Sequence, residues 1–177
     1  MKTNRKLVTL FGAAALLGVS ALASNQISQP KPLESQVRHE LLMLPYYNVF
    51  EDLSYRVENG VVTLSGAVTW PVTARNAEAA VKRLPGVERV DNQIEVLPLS
   101  NYDHRLRLQT YNAVYGFAPL QRYGWGTQPS IRILVKNGNV TLSGAVRTKS
   151  DSDMAFLRAN AVPGAFSVTN ELRIERN

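Results

Sequence analysis

The 177-residue chain carries 20 Lys and Arg against 14 Asp and Glu, with 45% hydrophobic and 19% charged residues, the balance of a globular chain and not of a disordered one. It contains no cysteine, which excludes a disulfide framework, thiolate catalysis and zinc–thiolate sites. The length allows one ordinary domain or two very small ones.

Lys2, Arg5 and Lys6 open the chain, an uncharged apolar run covers Leu7 to Val19, and Ala21-Leu22-Ala23 comes after it. This is the pattern of a secretory signal over 1–23, with cleavage expected before Ser24 and a periplasmic or secreted destination. The apolar run is too short for a bilayer core, and no cysteine succeeds it to take a lipid. Removing it leaves 17 basic residues against 14 acidic, or +3. Such a weak bias suits an anionic surface but is no nucleic-acid signature.

After a linker at 24–32, Leu33, Val37, Leu41 and Leu44 fall on one narrow arc of a helix, enough to face a sheet. Pro45-Tyr46-Tyr47-Asn48-Val49-Phe50 is expected to seal the core between this helix and the first hairpin. Asn59-Gly60, set between alternating apolar runs, predicts the two-residue turn of that hairpin. The register then pairs Val57 with Val62 and Tyr55 with Leu64 on one face, leaving Arg56, Glu58, Thr63 and Ser65 on the other. Thr69-Trp70-Pro71 opens a second helix, with Ala77, Ala80, Val81 and Leu84 as its apolar stripe. Pro85-Gly86 ends it, and a third strand runs to the short connection Leu97-Pro98-Leu99-Ser100.

The order then repeats: a helix at about 101–115, a hairpin about Asn137-Gly138, a helix from Ser150-Asp151-Ser152-Asp153 with Met154, Leu157 and Ala161 as its stripe, Pro163-Gly164, and a last strand. Ile133, Val135, Val140 and Leu142 are expected inside. The segments Val57–Val68 and Val135–Val146 agree at ten of twelve positions at an offset of 78. The same offset carries Leu84-Pro85-Gly86-Val87 onto Val162-Pro163-Gly164-Ala165, and Val90, Asn92, Ile94 and Val96 onto Val168, Asn170, Leu172 and Ile174. A fixed offset over both blocks marks a duplicated domain. The fold class is α+β: two tandem αββαβ two-layer domains at 33–98 and 99–177, each a three-stranded sheet covered on one face by two helices.

The phrase V-x-N-G-x-V-T-L-S-G-x-V, then a helix and then L-P-G-V-x-x-V-x-N-x-I-x-V, resembles the BON domain of bacterial osmotically inducible periplasmic proteins and nodulation proteins. The resemblance covers nearly the whole chain beyond its first 32 residues. It implies a non-enzymatic module of the cell envelope, associated in the family with stress response. Anionic phospholipid is bound by some members, through the second copy in a two-copy relative; others go with peptidoglycan-binding modules or secretin assemblies. The repeated motif is scaffold and leaves the ligand open.

No catalytic constellation emerges from the residues. His39 and His104 lie on first helices at non-equivalent positions, and Met43 stands where a His-Glu-x-x-His helix needs its second histidine. Ser65 and Ser143 sit in Leu-Ser-Gly-Ala, not in a nucleophile elbow. Asp151 and Asp153 read as helix-start residues. No cofactor, catalytic residue or metal site is expected.

The copies differ most between first helix and hairpin: Val37 to Val57 is 20 positions, whereas Leu106 to Val135 is 29. The extra residues form an aromatic insertion at about 116–130. On the helix before it, Leu106, Leu108, Thr110, Tyr111, Ala113, Val114 and Tyr115 span an arc of roughly 220°, wider than one sheet face uses. Two readings remain open. The surplus either packs against the first copy and under the insertion, or forms a membrane or partner patch of Arg105, Arg107, Tyr111, Tyr115, Phe117, Arg122, Tyr123 and Trp125. On the second reading the partner is anionic phospholipid, touched peripherally at most, or else an envelope protein or cell wall, with no nucleic acid.

Overall fold

The computed structural model describes residues 32–126 and 128–175; the expected signal segment, its cleavage site and nearly all of the linker lie outside them. The first copy runs helix α1 (Leu33–Leu42), strands β1 (Asp52–Glu58) and β2 (Val61–Val68), helix α2 (Pro71–Lys82), and strands β3 (Arg89–Asn92) and β4 (Glu95–Val96). The second runs α3 (Asn101–Tyr115), a 3₁₀ helix at Ala118–Gly124, β5 (Ile131–Lys136), β6 (Asn139–Val146), α4 (Lys149–Asn160), β7 (Ser167–Asn170) and β8 (Arg173–Ile174). In each copy the middle strand, β2 or β6, pairs antiparallel with the strand before it and parallel with a last strand broken in two. This is the expected αββαβ arrangement, twice.

The turn sets the hairpin register. Asn59 and Gly60 have φ of 48° and 78°, Asn137 and Gly138 of 51° and 79°, the left-handed pair that a two-residue turn demands. Tyr55 pairs with Leu64, Val57 with Val62, Ile133 with Leu142 and Val135 with Val140. The inward members of the second hairpin are fully buried. Gly66 and Gly144, the glycines of the repeated Leu-Ser-Gly-Ala, serve a different purpose. Each has φ near +100°, and a Cβ there would sit 2.1 Å from a carbonyl oxygen of the paired chain, that of Asp52 or Ser130. The repeated asparagines Asn92 and Asn170 explain the broken last strand. The side-chain oxygen of each accepts the N–H two residues on, and its amide donates to a carbonyl of the preceding helix, Ala74 or Ser152.

The stripe of α4 departs from expectation. Asp151, Ser152, Ala155 and Ala159 face inward, Met154 lies at the margin, and Leu157 and Ala161 are exposed. These buried positions fall 78 residues after Thr73, Ala74, Ala77 and Val81, the buried face of α2, so both helices share one phase. Thr148 Oγ1 accepts the Asp151 N–H and caps the helix. Asp151 turns inward because Tyr123 and Thr148 donate to its carboxylate there.

Pro45–Phe50 also behaves differently. Leu44 and Tyr47 join the core of the first copy, but Val49 is buried in the core of the second and Phe50 packs against it. The free edge of β5 attracts this segment because an unpaired strand edge presents unbonded N–H and C=O groups. Ile133 N–H donates to Val49 C=O at 2.9 Å, and the Arg132 guanidinium donates to Asn48 C=O and lies over the Tyr47 ring. The second sheet is therefore covered on part of its outer face as well: Arg132 and Ser143 point outward and are buried. Lys136 pairs with Glu95 across the copies.

Candidate functional site

The helix α3 begins at Ser100, whose Oγ accepts the N–H of Asp103. Asp103 is buried, and its two carboxylate oxygens accept the N–H groups of Asn137 and Gly138 at 3.0 and 2.8 Å. One side chain thus ties the start of α3 to the hairpin turn. One turn on, Arg107 is also buried, and its guanidinium donates to Val135 C=O at 2.8 Å. Burial pushes the Arg107 pKa down, against the opposing charge of Asp103. Tyr115 closes the helix, its hydroxyl donating to Ile131 C=O at 2.6 Å.

The eight residues of the expected patch separate into two groups. Arg107, Tyr115 and Tyr123 are buried and hold the second copy together. Phe117 is partly buried under the Arg158 guanidinium. Arg122 is exposed but donates to Asp151 at 2.6 Å. Arg105, Tyr111 and Trp125 remain at the surface, Tyr111 at 38% exposure and Trp125 at 76%. Tyr111 lies between Phe50 and Tyr115, with ring centroids 6.2 and 5.0 Å away. Much of the surplus arc of α3 is therefore spent on packing, and the first copy contributes part of the cover. Leu108, at 43% exposure, stays outside.

Two features escaped sequence reasoning. The first is the network around Asp151, which joins α4 to the 3₁₀ helix through Arg122 and Tyr123; Tyr123 Oη also accepts the Arg147 N–H. Burial works to raise the Asp151 pKa, but the bonds from Thr148, Tyr123 and Arg122 outweigh it and hold the carboxylate below its ordinary value. The second is a cleft of about 420 Å³ between the copies, lined by Phe50, Thr69 and Trp70 from one side and by Leu99, His104 and Arg107 from the other. No carboxylate lines it. Among the described residues no three His, Asp or Glu side chains come together as a metal-binding group, and no helix is long and apolar enough to cross a membrane.

The BON domain profile matches residues 31–98 and 120–176, the whole first unit and the second from within its 3₁₀ helix onward, after α3. The chain belongs to the BON domain family. Membership supports a non-enzymatic module of the cell envelope. No curated protein matches the chain. Among solved structures it is similar to the C-terminal domain of CdsD, the structural protein of the type III secretion system of Chlamydia trachomatis. That likeness has 14% identity, covers 82% of this chain and 98% of the other, and has a TM-score of 0.30. A second CdsD structure matches at 14% identity over 82% and 93% of the two chains, with a TM-score of 0.29. In this BON protein the shared motif residues are accounted for by turns, clamps and core. What the shared motif leaves unexplained lies on α3, in the aromatic insertion and at the junction of the copies.

Proposed function

We propose that this BON protein is an exported envelope module whose second copy associates peripherally with anionic phospholipid surfaces. The observation that carries the reading is the staircase Arg105, Leu108 and Tyr111 on α3. These residues rise at intervals of three on the solvent side of one helix, with Leu108 and Tyr111 partly exposed beside an exposed arginine. Among the described residues Arg105 has no carboxylate within ion-pair distance. A tyrosine and a leucine can enter the headgroup region while the guanidinium meets lipid phosphate. Trp125 offers a second interfacial anchor of the same kind.

Vesicle sedimentation tests the reading, with phosphatidylglycerol against phosphatidylcholine at low and moderate salt. Binding to the anionic vesicles that weakens with salt, and is lost in Arg105→Glu/Leu108→Ser, is the expected result. Absence of binding to both vesicle types would remove it. An envelope protein captured by crosslinking in intact cells, with vesicle binding at background, would place a protein at this surface instead.

A further inference from the structure

The cleft between the copies joins a buried guanidinium that makes no direct ion pair to exposed apolar groups. Arg107 is 3% exposed. Its single hydrogen bond runs to a carbonyl, its Nε is buried with no partner, and no carboxylate lies within ion-pair distance. A guanidinium taken out of water is expensive unless paired. Asp103, one turn earlier, offsets part of the charge, but its two oxygens are taken up by the turn amides and reach no guanidinium hydrogen. The first copy shows that this burial is no requirement of the fold. Its counterparts of Asp103 and Arg107, 69 residues earlier, are Glu34 and Arg38, and both are exposed.

The surroundings of Arg107 favour an anion. Ser100 and Asn101, at the N-terminus of the 15-residue α3, line the same cleft, and the positive end of a helix dipole adds to the guanidinium there. His104 stands at the exposed side. Apolar surface comes from both walls, with Trp70 51% exposed on the far side and Leu99 71% exposed just before α3. A cleft of about 420 Å³ falls within the range of small-molecule sites.

We propose that this cleft binds the carboxylate or phosphate group of a small amphiphile, with Arg107 and the start of α3 holding the anion and Trp70 and Leu99 holding the apolar tail. This is independent of the membrane reading above, because Arg107 is buried and Arg105, Leu108 and Tyr111 do not line the cleft.

The test tracks two side-chain resonances, the Arg107 Nε–H and the Trp70 indole N–H, during titration with octyl phosphate, octanoate and neutral octanol. Both anionic probes are expected to shift both signals, and octanol neither. His104→Glu, an exposed change that sets a carboxylate at the cleft, should weaken binding by about tenfold or more. Arg107→Lys should do the same; if it fails to fold, His104→Glu carries the test alone. Silence of both resonances with both anionic probes, or an equal response to octanol, would overturn the site. Phosphatidylglycerol nanodiscs identify the source. Shifts at Arg107 with nanodiscs would name a membrane headgroup, whereas shifts with soluble probes alone would name a free amphiphile. Nanodisc binding with the cleft silent to every anionic probe would overturn the site and leave the membrane reading standing.

Discussion

The amide of Ile133 donates to the carbonyl of Val49 over 2.9 Å, so a residue of the first copy finishes the sheet edge of the second. The same segment sends the Val49 side chain into the second core. A unit that would otherwise leave β5 open is closed by its neighbour, and the two copies share one compact unit. The duplication therefore produced interdependent halves, with a cleft at their junction that neither half could build alone.

This dependence is measurable. Val49→Asp places a carboxylate in the second core, where burying it unpaired is strongly unfavourable. Amide exchange at Ile133 should accelerate by about a hundredfold or more, while Val62 and Leu64 in β2 keep their protection. Unchanged exchange at Ile133 would show that the edge is held by other means.

Asp103 should behave as a clamp. Asp103→Ala leaves the Asn137 and Gly138 amides without their partner and should cost about 2–3 kcal/mol in urea unfolding. Asp103→Asn, with one carbonyl oxygen in place of two acceptors, should fall between. A loss within error of zero for Ala would show that water serves the turn equally well.

Acid stability should depend on Asp151. Its pKa in the folded protein is held below the ordinary 3.8, so its contribution is complete above that value and disappears as pH falls through the lower folded one. Asp151→Asn should therefore flatten the loss of stability at the acid end of that window, and lower stability at neutral pH by removing the charge that Arg122 meets. Parallel pH profiles of the two proteins below pH 4 would contradict this.

The alkaline side reports Tyr115 and Tyr47. Burial pushes both phenols above 10.0, against weaker opposing contributions from Arg132 and backbone bonds. A raised folded pKa stabilises fully below the unfolded value and is lost as pH climbs from there through the folded one. Tyr47 and Tyr115 should resist ionisation in ultraviolet titration until the chain unfolds. Seven tyrosines titrating together near pH 10 in folded protein would refute the burial.

Gly144→Ala should be among the most damaging single-methyl additions. Its Cβ would lie 2.1 Å from Ser130 O at a φ of +99°, combining backbone strain with a collision against main chain. A loss of about 2–4 kcal/mol is expected, and Gly66→Ala should match it. A change below about 1 kcal/mol would mean that β6 shifts to accept the methyl.

Local pattern settled much here. The Asn-Gly turns, the alternation of Tyr55, Val57, Val62 and Leu64, and the 78-residue offset specify both sheets and their helices, because turn geometry and strand pleat act between neighbours in the chain. The inward phase of α4 was legible too, through the offset from α2, although its own Met and Leu pointed to another face. The destinations of Val49, Arg107, Arg122 and Tyr123 were not. Each is decided by a partner far away along the chain: an open strand edge, a hairpin carbonyl, a carboxylate on α4. Side-chain type says that a residue can bury apolar surface or donate a hydrogen bond. Only the packing of one copy on the other says which surface needs cover and which buried guanidinium keeps a donor without a partner.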